Sequence, residues 1–552
     1  MEWRTDCPDW ERRIVERESL IPFGPLFPAE AEAALEVFKA LRIKDMPGGP
    51  TMGEVSRPWV LDFVGSVFGA YDPESGRRLI TEWFKLISKK NTKSTTAAGI
   101  MLTALVRNWR ESGEFLILAP TKEVADNAFQ PARDMVAMDE ELRDLLHVQE
   151  HWRTITHRVT GASLKVVAAD NETVSGKKAI GVLVDELWLF GKKAGAENML
   201  REATGGLASR PEGFVIYLST QSEDPPAGVF RQKLMYARGV RDGRIADRKF
   251  VPVLYEFPPA MLKAGRHLDP ANFYVTNPNI GASVDEEFLE RELRKAQDAG
   301  QESLCGFLAK HLDVEIGLAL ASDRWAGAEF WEQSADRTVT LDALLARCEV
   351  IDVGVDGGGL DDLLGLTVAG RETGTGRWLT WSHAWAHPSV LDRRKDIAPR
   401  LHDFARDGDL TLVEKIGQDV EDVADMIERI YEAGLLDAVG VDPHGIGAIL
   451  EALENRGIPQ DRIKGISQGW KLTGAIKTAE RKLAGGEMVH AGAALMAWCC
   501  GNARVEPRGN AVLITKQASG TAKIDPLMAL FNATALLSLN PASLGQALCE
   551  AW

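Results

Sequence analysis

Cysteine is scarce in this sequence, and its spacing is irregular. Six cysteines occur in 552 residues, at positions 7, 305, 348, 499, 500 and 549, and no two of them form a Cys-x-x-Cys pair. Disulfide frameworks and zinc knuckles both need regular spacing. The pattern argues against both kinds of site, and we predict that the adjacent Cys499 and Cys500 are packed thiols.

Long apolar runs are also missing. The longest, residues 493–500, is far shorter than the roughly 18 residues that span a bilayer. The amino terminus carries both charge signs and lacks the apolar core of a signal peptide. We therefore expect no membrane helix, no export, and a location in the cytoplasm.

Basic charge is in deficit, because 64 Lys and Arg face 80 Asp and Glu, for a formal net charge of −16. This balance argues against a protein that coats nucleic acid along its whole surface, so any DNA contact must be a local basic patch. The 45% hydrophobic and 26% charged residues are typical of a soluble globular protein. A chain this long exceeds one core, so we expect two main domains and an appendage.

Strand-like and helical segments divide the chain. Residues 28–41 have helical spacing and are followed by a cluster rich in Gly and Pro. From about 55 to 250, apolar strand-like runs alternate with helical ones, which predicts a parallel sheet covered on both faces. A turn-rich connector or lid follows, and three runs within 348–384 predict a meander. The predicted segments of this α/β chain are 1–50, 51–254, 255–335, 336–540 and 541–552.

A phosphate-binding signal lies between a strand-like run, residues 83–87, and helix-forming residues 97–105, which is the order of a P-loop. Glycine is lacking here, because Ile87 and Thr92 stand where the usual motif has it. The chemistry is kept at the helix start, where an ammonium reaches the phosphates and a hydroxyl binds Mg²⁺. Such residues also open ordinary surface helices. The predicted nucleotide-binding residues are Ser88, Lys89, Lys90, Asn91, Thr92, Lys93, Ser94 and Thr95.

Carboxylates end the apolar strand at residues 180–184. We predict that Asp185 holds Mg²⁺ and that Glu186 polarises the attacking water as general base. A strand that ends in a solvated acidic turn is the structural alternative.

The next apolar strand ends in polar groups, where a helicase-like ATPase senses the γ-phosphate. These are Ser219, Thr220 and Gln221. Arg210 precedes the same strand and is a candidate arginine finger, although a surface salt bridge explains it equally well.

In the second half, aspartates stand at the ends of separate elements. Asp356 ends the first strand of the meander, Asp442 ends a later strand, and Asp525 begins an apolar helix. Phosphodiester hydrolysis by two metals needs such carboxylates to hold the ions roughly 3.5 to 4 Å apart. The distribution predicts an RNase H-like mixed-sheet nuclease domain with two Mg²⁺ or Mn²⁺ ions.

Each of these acids also has a structural interpretation. Asp525 is suited to begin a helix, and Asp442 to a turn before Pro443. Asp361 and Asp362 are further candidate ligands, or they end the glycine turn. His444 follows Asp442 by two residues, but a lone histidine is more often an ordinary surface or core residue.

The order of these motifs resembles the large terminase subunit of tailed double-stranded DNA phages. Lys89–Ser94 is similar to the Arg/Lys-Asn-Gly-Lys-Ser loop of that family, with Thr92 in place of its glycine. The resemblance covers about residues 55 to 535. Other similar segments are Ala208–Pro211, Thr276–Pro278, Gly354–Asp356, Asp361–Leu363, Val441–Pro443, Gly501–Asn502 and Lys523–Asp525.

The resemblance implies a DNA-packaging motor that docks as a pentameric homo-oligomeric ring on the capsid portal protein. Such a motor drives double-stranded DNA into an empty capsid with ATP, cuts concatemers, and receives its DNA from a small terminase subunit. It works in the host cytoplasm, transiently on the procapsid, without a membrane, and is not expected in the mature virion.

The resemblance also implies residue roles. Lys93, Ser94 and Asp185 bind phosphate and metal, Glu186 is the catalytic base, and residues 219–221 couple hydrolysis to movement. The implied ligands of the nuclease metals are Asp356, Asp442 and Asp525, with Asp362 as a fourth candidate.

Two other interpretations remain open at this level. One is a different ATP-dependent DNA-processing nuclease, although the connector is too short for the second ATPase-like domain of a common helicase. The other is a packaging component with a degraded ATPase site, because Thr92 puts the geometry of the phosphate loop in question. ATP turnover separates the two.

Overall fold

The computed structural model describes residues 2–168, 179–193, 195–317, 325–443, 447–508, 511–514 and 523–544. Two compact units, residues 1–316 and 317–552, divide the chain. Within the described residues, none of the helices combines the length and apolar character needed to cross a membrane.

The first unit alternates helices and strands. Its helices are α1 Trp10–Val15, α2 Pro28–Ala40, α3 Met52–Val55, α4 Pro58–Phe68, α5 Lys93–Val106, α6 Lys122–Ala137, α7 Glu140–Leu145, α8 Leu187–Phe190, α9 Ala196–Gly205, α10 Gly228–Arg241, α11 Pro259–Lys263, α12 Glu286–Ala299 and α13 Gln301–His311. Its strands are β1 Tyr71–Asp72, β2 Arg77–Arg78, β3 Glu82–Leu86, β4 Glu114–Ala119, β5 Leu146–Gln149, β6 Thr154–His157, β7 Ser163–Ala168, β8 Ala179–Val184, β9 Phe214–Ser219 and β10 Phe250–Leu254.

The main sheet of this unit has the order β10-β3-β9-β8-β4-β7-β6-β5. Neighbours from β10 to β7 are parallel, which confirms the predicted parallel sheet. At one edge, β6 pairs antiparallel with both β7 and β5. This edge was not predicted, because β5 and β6 have only four residues each and lack the long apolar run of a central parallel strand.

Helices cover both faces of the parallel strands. On one face α8, α9 and α10 supply buried apolar side chains such as Phe190, Leu200 and Phe230. On the opposite face the Lys85 ammonium of β3 lies 3.9 Å from the centre of the Trp59 ring of α4, while α5 and α6 contact neighbouring strands. Every residue of β8 is buried, because helices cover both faces of the sheet. A strand in this position needs apolar residues on both faces, which explains its continuous apolar sequence.

The second unit contains the predicted meander. Its helices are α14 Ala328–Trp331, α15 Leu341–Arg347, α16 Ser389–Arg393, α17 Ala398–Asp407, α18 Gln418–Glu432, α19 Gly447–Asn455, α20 Thr473–Ala484, α21 Ala494–Asn502 and α22 Asp525–Leu537. Its strands are β11 Cys348–Gly357, β12 Leu364–Glu372, β13 Trp378–Ala386, β14 Leu410–Leu412, β15 Leu436–Val441, β16 Ile463–Gly465, β17 Met488–His490, β18 Val505–Arg508 and β19 Ala511–Ile514.

A mixed sheet organises this unit, in the order β14-β13-β12-β11-β15-β16, with β17 also paired to β13. The strands β11, β12 and β13 are antiparallel neighbours, as predicted, and β15 pairs parallel with β11. Apolar clusters lie on both faces of the sheet. Cys499 and Cys500 are buried free thiols in one of them, which confirms their predicted packing.

Helix α22 lies directly on the strands, because glycines leave room for it. A Cβ atom at Gly354 of β11 would lie 1.9 Å from the Ala529 carbonyl oxygen. A Cβ atom at Gly365 of β12 would lie 2.6 Å from the Pro526 nitrogen. Real Cβ atoms cannot approach backbone this closely, so the two glycines set the distance between helix and sheet.

Asp352 is a fully buried carboxyl group in β11. Its Oδ1 accepts a hydrogen bond from the Ala438 amide at 3.1 Å, whereas Oδ2 has no hydrogen-bond partner among the described residues. Burial, together with the nearby charge of Asp437, raises the pKa of Asp352 to about 8. The folded protein therefore keeps a proton on Asp352 that the unfolded chain releases at about pH 4.

This shift predicts a pH-dependent cost. Stability is unaffected below about pH 4 and falls by up to about 1.4 kcal/mol per pH unit as the pH rises towards the folded pKa. Asp352→Asn removes that cost, so we expect it to raise Tm at pH 8 by at least about 3 °C. The gain should be smaller at pH 5. Thermal melting at both pH values checks this, with Asp461→Asn, an exposed aspartate, as the control; an equal gain at both pH values would contradict it.

Candidate active sites

The phosphate loop follows β3 and ends where α5 begins at Lys93. Thr92 precedes the helix with φ 55° and ψ 22°, the left-handed conformation that glycine adopts at no cost. The Asn279 side chain donates a hydrogen bond to Thr92 Oγ1 at 3.3 Å, which helps to hold the residue in place. The loop therefore keeps the backbone conformation of a glycine without having one.

Backbone strain concentrates at this loop. Of the eight non-glycine residues with positive φ in the described part of the chain, four belong to this site. They are Lys90, Thr92, Glu186 and Asp313. Left-handed conformations cost energy in residues with side chains and persist where function requires them. Their grouping marks this edge of the sheet as a functional site.

The parallel register brings the predicted residues together at the carboxyl ends of β3, β8 and β9. Lys93 Nζ lies 2.7 Å from Glu186 Oε1, and Ser94 Oγ donates to Asp185 Oδ2 at 3.4 Å. Residues 219–221 lie at the end of β9, between the other two strand ends, and are fully buried. Thr95 continues the first turn of α5.

Burial and charge act together on these side chains. Burial alone would lower the pKa of Lys93, but the Glu186 and Asp185 carboxylates together outweigh it and raise that pKa. Burial raises the pKa of Asp185 to about 6. Burial would also raise the pKa of Glu186, but the charge and hydrogen bond of Lys93, with a hydrogen bond from Trp188, lower it. Glu186 is therefore a buried but ionised carboxylate.

The loop fits a nucleotide by its unused polar atoms. Among the described residues, Ser88 Oγ, both amide atoms of Gln221 and Asp313 Oδ2 are buried without a hydrogen-bond partner. Such atoms are rare in folded proteins and need an explanation. A phosphate chain with its metal ion, bound at the start of α5, would explain them.

The carboxylates of the second unit meet at one edge of its sheet. Val355 pairs with Val441, so Asp356 and Asp442 each follow a paired residue at the carboxyl ends of two parallel strands. Asp525 begins α22 and is fully buried, and its Oδ1 lies 3.0 Å from the position of a Cβ atom built on Gly357. The structure therefore places Asp356 and Asp442 at adjacent strand ends and Asp525 beside the end of β11.

Asp362 has a partner that was not predicted. The Lys523 ammonium, almost fully buried, lies 2.8 Å from Asp362 Oδ1 and 2.7 Å from the Asp361 carbonyl oxygen. Within the described residues, no group of three or more His, Cys, Asp or Glu side chains is arranged so that it could hold a metal ion. The aspartates fit a hard divalent cation by their oxygen donors and shared edge. His444 lies outside the described residues.

Family comparison decides what these two sites belong to. The family model of the terminase large subunit ATPase domain matches residues 58–239, and that of the endonuclease domain matches residues 253–538. The chain belongs to the large terminase subunit family. It is an ATPase and endonuclease of a phage DNA-packaging motor, and this class of protein uses a nucleotide and divalent metals and acts on DNA.

Two curated proteins and one solved structure are similar to this terminase at low sequence identity. The large terminase subunit of Enterobacteria phage HK97 is 22% identical over 504 residues, which cover 88% of this chain and 91% of that protein. Protein YmfN of Escherichia coli (strain K12) is 22% identical over 275 residues, or 48% of this chain and 59% of YmfN. The match to the crystal structure of the HK97 bacteriophage large terminase covers 92% of this chain and 99% of the HK97 chain. Its sequence identity is 19% and its TM-score is 0.47.

The fold class predicted for the terminase is confirmed: a P-loop ATPase domain with a parallel sheet precedes an RNase H-like nuclease domain with a mixed sheet. Arg210, however, is not brought to the phosphate loop. It precedes β9, whereas the loop follows β3, and these strands are parallel. The six-residue strand β9 spans roughly 20 Å, which an arginine side chain cannot bridge.

The segment before residue 316 supplies terminase site residues that sequence reasoning missed. Asn91 Nδ2 donates to Asn277 Oδ1 at 2.8 Å, and the Asn279 amide donates back to Asn91 Oδ1 at 3.0 Å. Asp313 Oδ1 accepts from the Gln221 amide at 2.9 Å. In the sequence, these contacts are indicated only by the similarity of segment Thr276–Pro278 to the family, and that similarity assigns no function to the segment. Together they brace the phosphate loop from a distant part of the chain.

Proposed function

We propose that this terminase hydrolyses ATP to drive double-stranded DNA into an empty capsid and cuts concatemeric DNA with a two-metal nuclease. The observation that carries the proposal is the pairing, in one chain, of a strained Lys93–Glu186 phosphate site with three aspartates at the edge of a separate sheet. The first supplies energy, and the second supplies cleavage.

In the proposed ATP site, Lys93 and backbone amides of residues 88–95 bind the phosphates, except the Lys89 amide, which donates to the Lys310 carbonyl oxygen. Ser94 and Asp185 hold the metal ion. Glu186 takes a proton from the attacking water, because its carboxylate is ionised and oriented by a hydrogen bond from Trp188 at 2.7 Å. Ser219, Thr220 and Gln221 sense the γ-phosphate from the end of β9. The intact Lys93–Glu186 pair favours this function over a degraded ATPase site.

In the proposed nuclease site, Asp356, Asp442 and Asp525 hold two Mg²⁺ or Mn²⁺ ions, and Asp362 is a fourth candidate. Bound ions of this kind activate water and stabilise the leaving oxygen of a phosphodiester. The chain's own contribution is position, because two acids lie at strand ends and the third at the start of a helix seated on glycines. The ion pair between Lys523 and Asp362 holds Asp362 beside the segment that leads into α22.

The proposed partners follow from packaging: double-stranded DNA, a small terminase subunit, the capsid portal protein, and further copies of the chain in a pentameric ring. Arg210 acts as an arginine finger only towards a neighbouring subunit, since the phosphate loop of its own chain is out of reach.

We divide the chain into an appendage 1–50, an ATPase domain 51–254, a connector 255–335, a nuclease domain 336–540 and a tail 541–552. The motor works in the host cytoplasm, transiently on the procapsid.

Packaging in vitro tests the proposal. Purified terminase, its small subunit, empty procapsids of the same phage and linear double-stranded DNA are mixed with ATP or with a non-hydrolysable analogue. We expect DNA to become protected from added DNase in the mixture with ATP and to stay unprotected in the mixture with the analogue. ATP turnover without any protected DNA in the complete mixture would contradict translocation.

A further inference from the structure

Lys310, near the end of α13, reaches the ATP site from outside the ATPase motifs. Its Nζ donates to the Gln221 carbonyl oxygen at 2.8 Å, and its own carbonyl oxygen accepts from the Lys89 amide at 2.8 Å. The residue is only 4% exposed. One lysine therefore touches both the phosphate loop and the polar end of β9.

The same ammonium packs on Trp188. Nζ lies 3.0 Å from the centre of the indole ring, where its N–H groups are attracted to the ring face. Burial lowers the pKa of Lys310 to about 7, so the contact does not need a permanent charge. Trp188 in turn donates from Nε1 to Glu186 Oε2 at 2.7 Å and from its backbone amide to Ser219 Oγ at 3.1 Å. Lys310 thus fixes the ring that orients the general base.

This support becomes important when ATP binds. Lys93 holds Glu186 Oε1 at 2.7 Å, and the same ammonium is the group suited to bind the phosphates. Phosphate binding therefore competes with the Lys93–Glu186 ion pair. Among the described residues, the side-chain hydrogen bond that then remains on the Glu186 carboxylate is the one from Trp188 Nε1, on the other oxygen.

Asp313 strengthens the argument that this end of the connector is built for the site. Its Oδ1 accepts from the Gln221 amide at 2.9 Å, while Lys310 binds the Gln221 carbonyl, so both backbone groups of Gln221 are held from the segment 310–313. Asp313 adopts a left-handed φ of 47° to do so. Strained residues of this kind cluster at active sites, which supports a functional role for this segment.

We propose that Lys310 is a positioning residue for ATP hydrolysis, holding Trp188 and Gln221 so that Glu186 keeps its orientation after Lys93 turns to the phosphates. The proposal rests on the proposed role of Glu186 as general base. It predicts an effect on turnover and not on nucleotide binding. The Lys310 side chain contacts Gln221 and Trp188, and it does not contact the side chains predicted to bind the phosphates or the metal ion.

Steady-state ATP hydrolysis by full-length Lys310→Met tests this, beside Lys295→Met, whose side chain is 63% exposed on α12. Methionine keeps the packing stem and removes the ammonium. We expect Lys310→Met to lower kcat at least about tenfold with KM for ATP changed less than about threefold, and the control to match wild type. A folded Lys310→Met with wild-type kcat, or one that loses nucleotide binding about as much as turnover, would overturn the proposal.

A second variant covers the case in which Lys310→Met does not fold. Trp188→Phe keeps an aromatic ring for packing but removes the Nε1 donor to Glu186, so it should lower kcat in the same way with KM retained. Wild-type turnover in folded Trp188→Phe would overturn the proposal on its own. Glu186→Gln, measured in the same assay, separates the two ideas: if that variant still turns over ATP, the general-base assignment itself fails.

Discussion

Lys93→Ala is expected to abolish ATP hydrolysis, with kcat lowered at least about a hundredfold, while DNA cleavage stays within about twofold of wild type. The ammonium is the charge placed to neutralise the phosphates, at the first residue of α5. Its removal also leaves Glu186 without the ion pair that holds its pKa low. Cleavage is spared because the aspartates belong to a different unit with its own sheet.

The measurement is phosphate release from ATP beside plasmid cleavage, by the same preparation. Lys295→Ala is the matched control, because the Lys295 side chain is 63% exposed on α12 and lies outside the predicted nucleotide-binding residues. It should keep most of the turnover. Loss of both activities in a folded Lys93→Ala protein would mean that the two sites are not independent.

Asp356→Ala is expected to eliminate plasmid cleavage, by at least about a thousandfold, and to leave ATP hydrolysis unchanged. Asp356 is buried at the end of β11, between the strand that leads to Asp442 and the helix that carries Asp525. Removing it takes away one of the three carboxylates proposed to hold the metal ions. Within β11 itself, Asp356 is the acid nearest the carboxyl end of the strand.

Plasmid cleavage with Mg²⁺ and with Mn²⁺, by wild type and variant of equal thermal stability, is the test. Asp461→Ala is the matched control, since Asp461 is an exposed aspartate of the same unit outside the candidate ligands. Cleavage that survives in Asp356→Ala would show that the metals bind elsewhere. Cleavage absent from both proteins in both metals would remove the nuclease from the proposed function of the isolated chain.

Much of the ATP site was predictable because its information is local. The order of strand, loop and helix specifies where Lys93 lies, and the apolar run of β8 specifies where Asp185 and Glu186 end it. The acids of the nuclease unit were predictable for the same reason, since each stands at the end of a recognisable element. What sequence could not supply was their convergence, which depends on strand register.

The connector contacts were beyond sequence reasoning. Asn91 and Asn277 are 186 positions apart, and Lys310 is 89 positions from Gln221. Neither pair leaves a periodic pattern, and single buried asparagines and lysines have no spacing rule. The left-handed Thr92 was likewise hidden, because the residue type suggests an impaired loop whereas the backbone adopts the glycine conformation. The antiparallel edge formed by β5 and β6 was not predicted, because each of these strands has only four residues.

The glycines beneath α22 have a consequence for how nuclease activity can be lost. Gly354 and Gly365 determine how far the helix stands from the strands, and therefore how far Asp525 stands from Asp356. A methyl group at either glycine would lift the helix and widen the gap between the acids without altering any of them. A relative that keeps all three aspartates but has a larger residue at either glycine position would retain the signature of a nuclease and have lost the spacing that cutting requires.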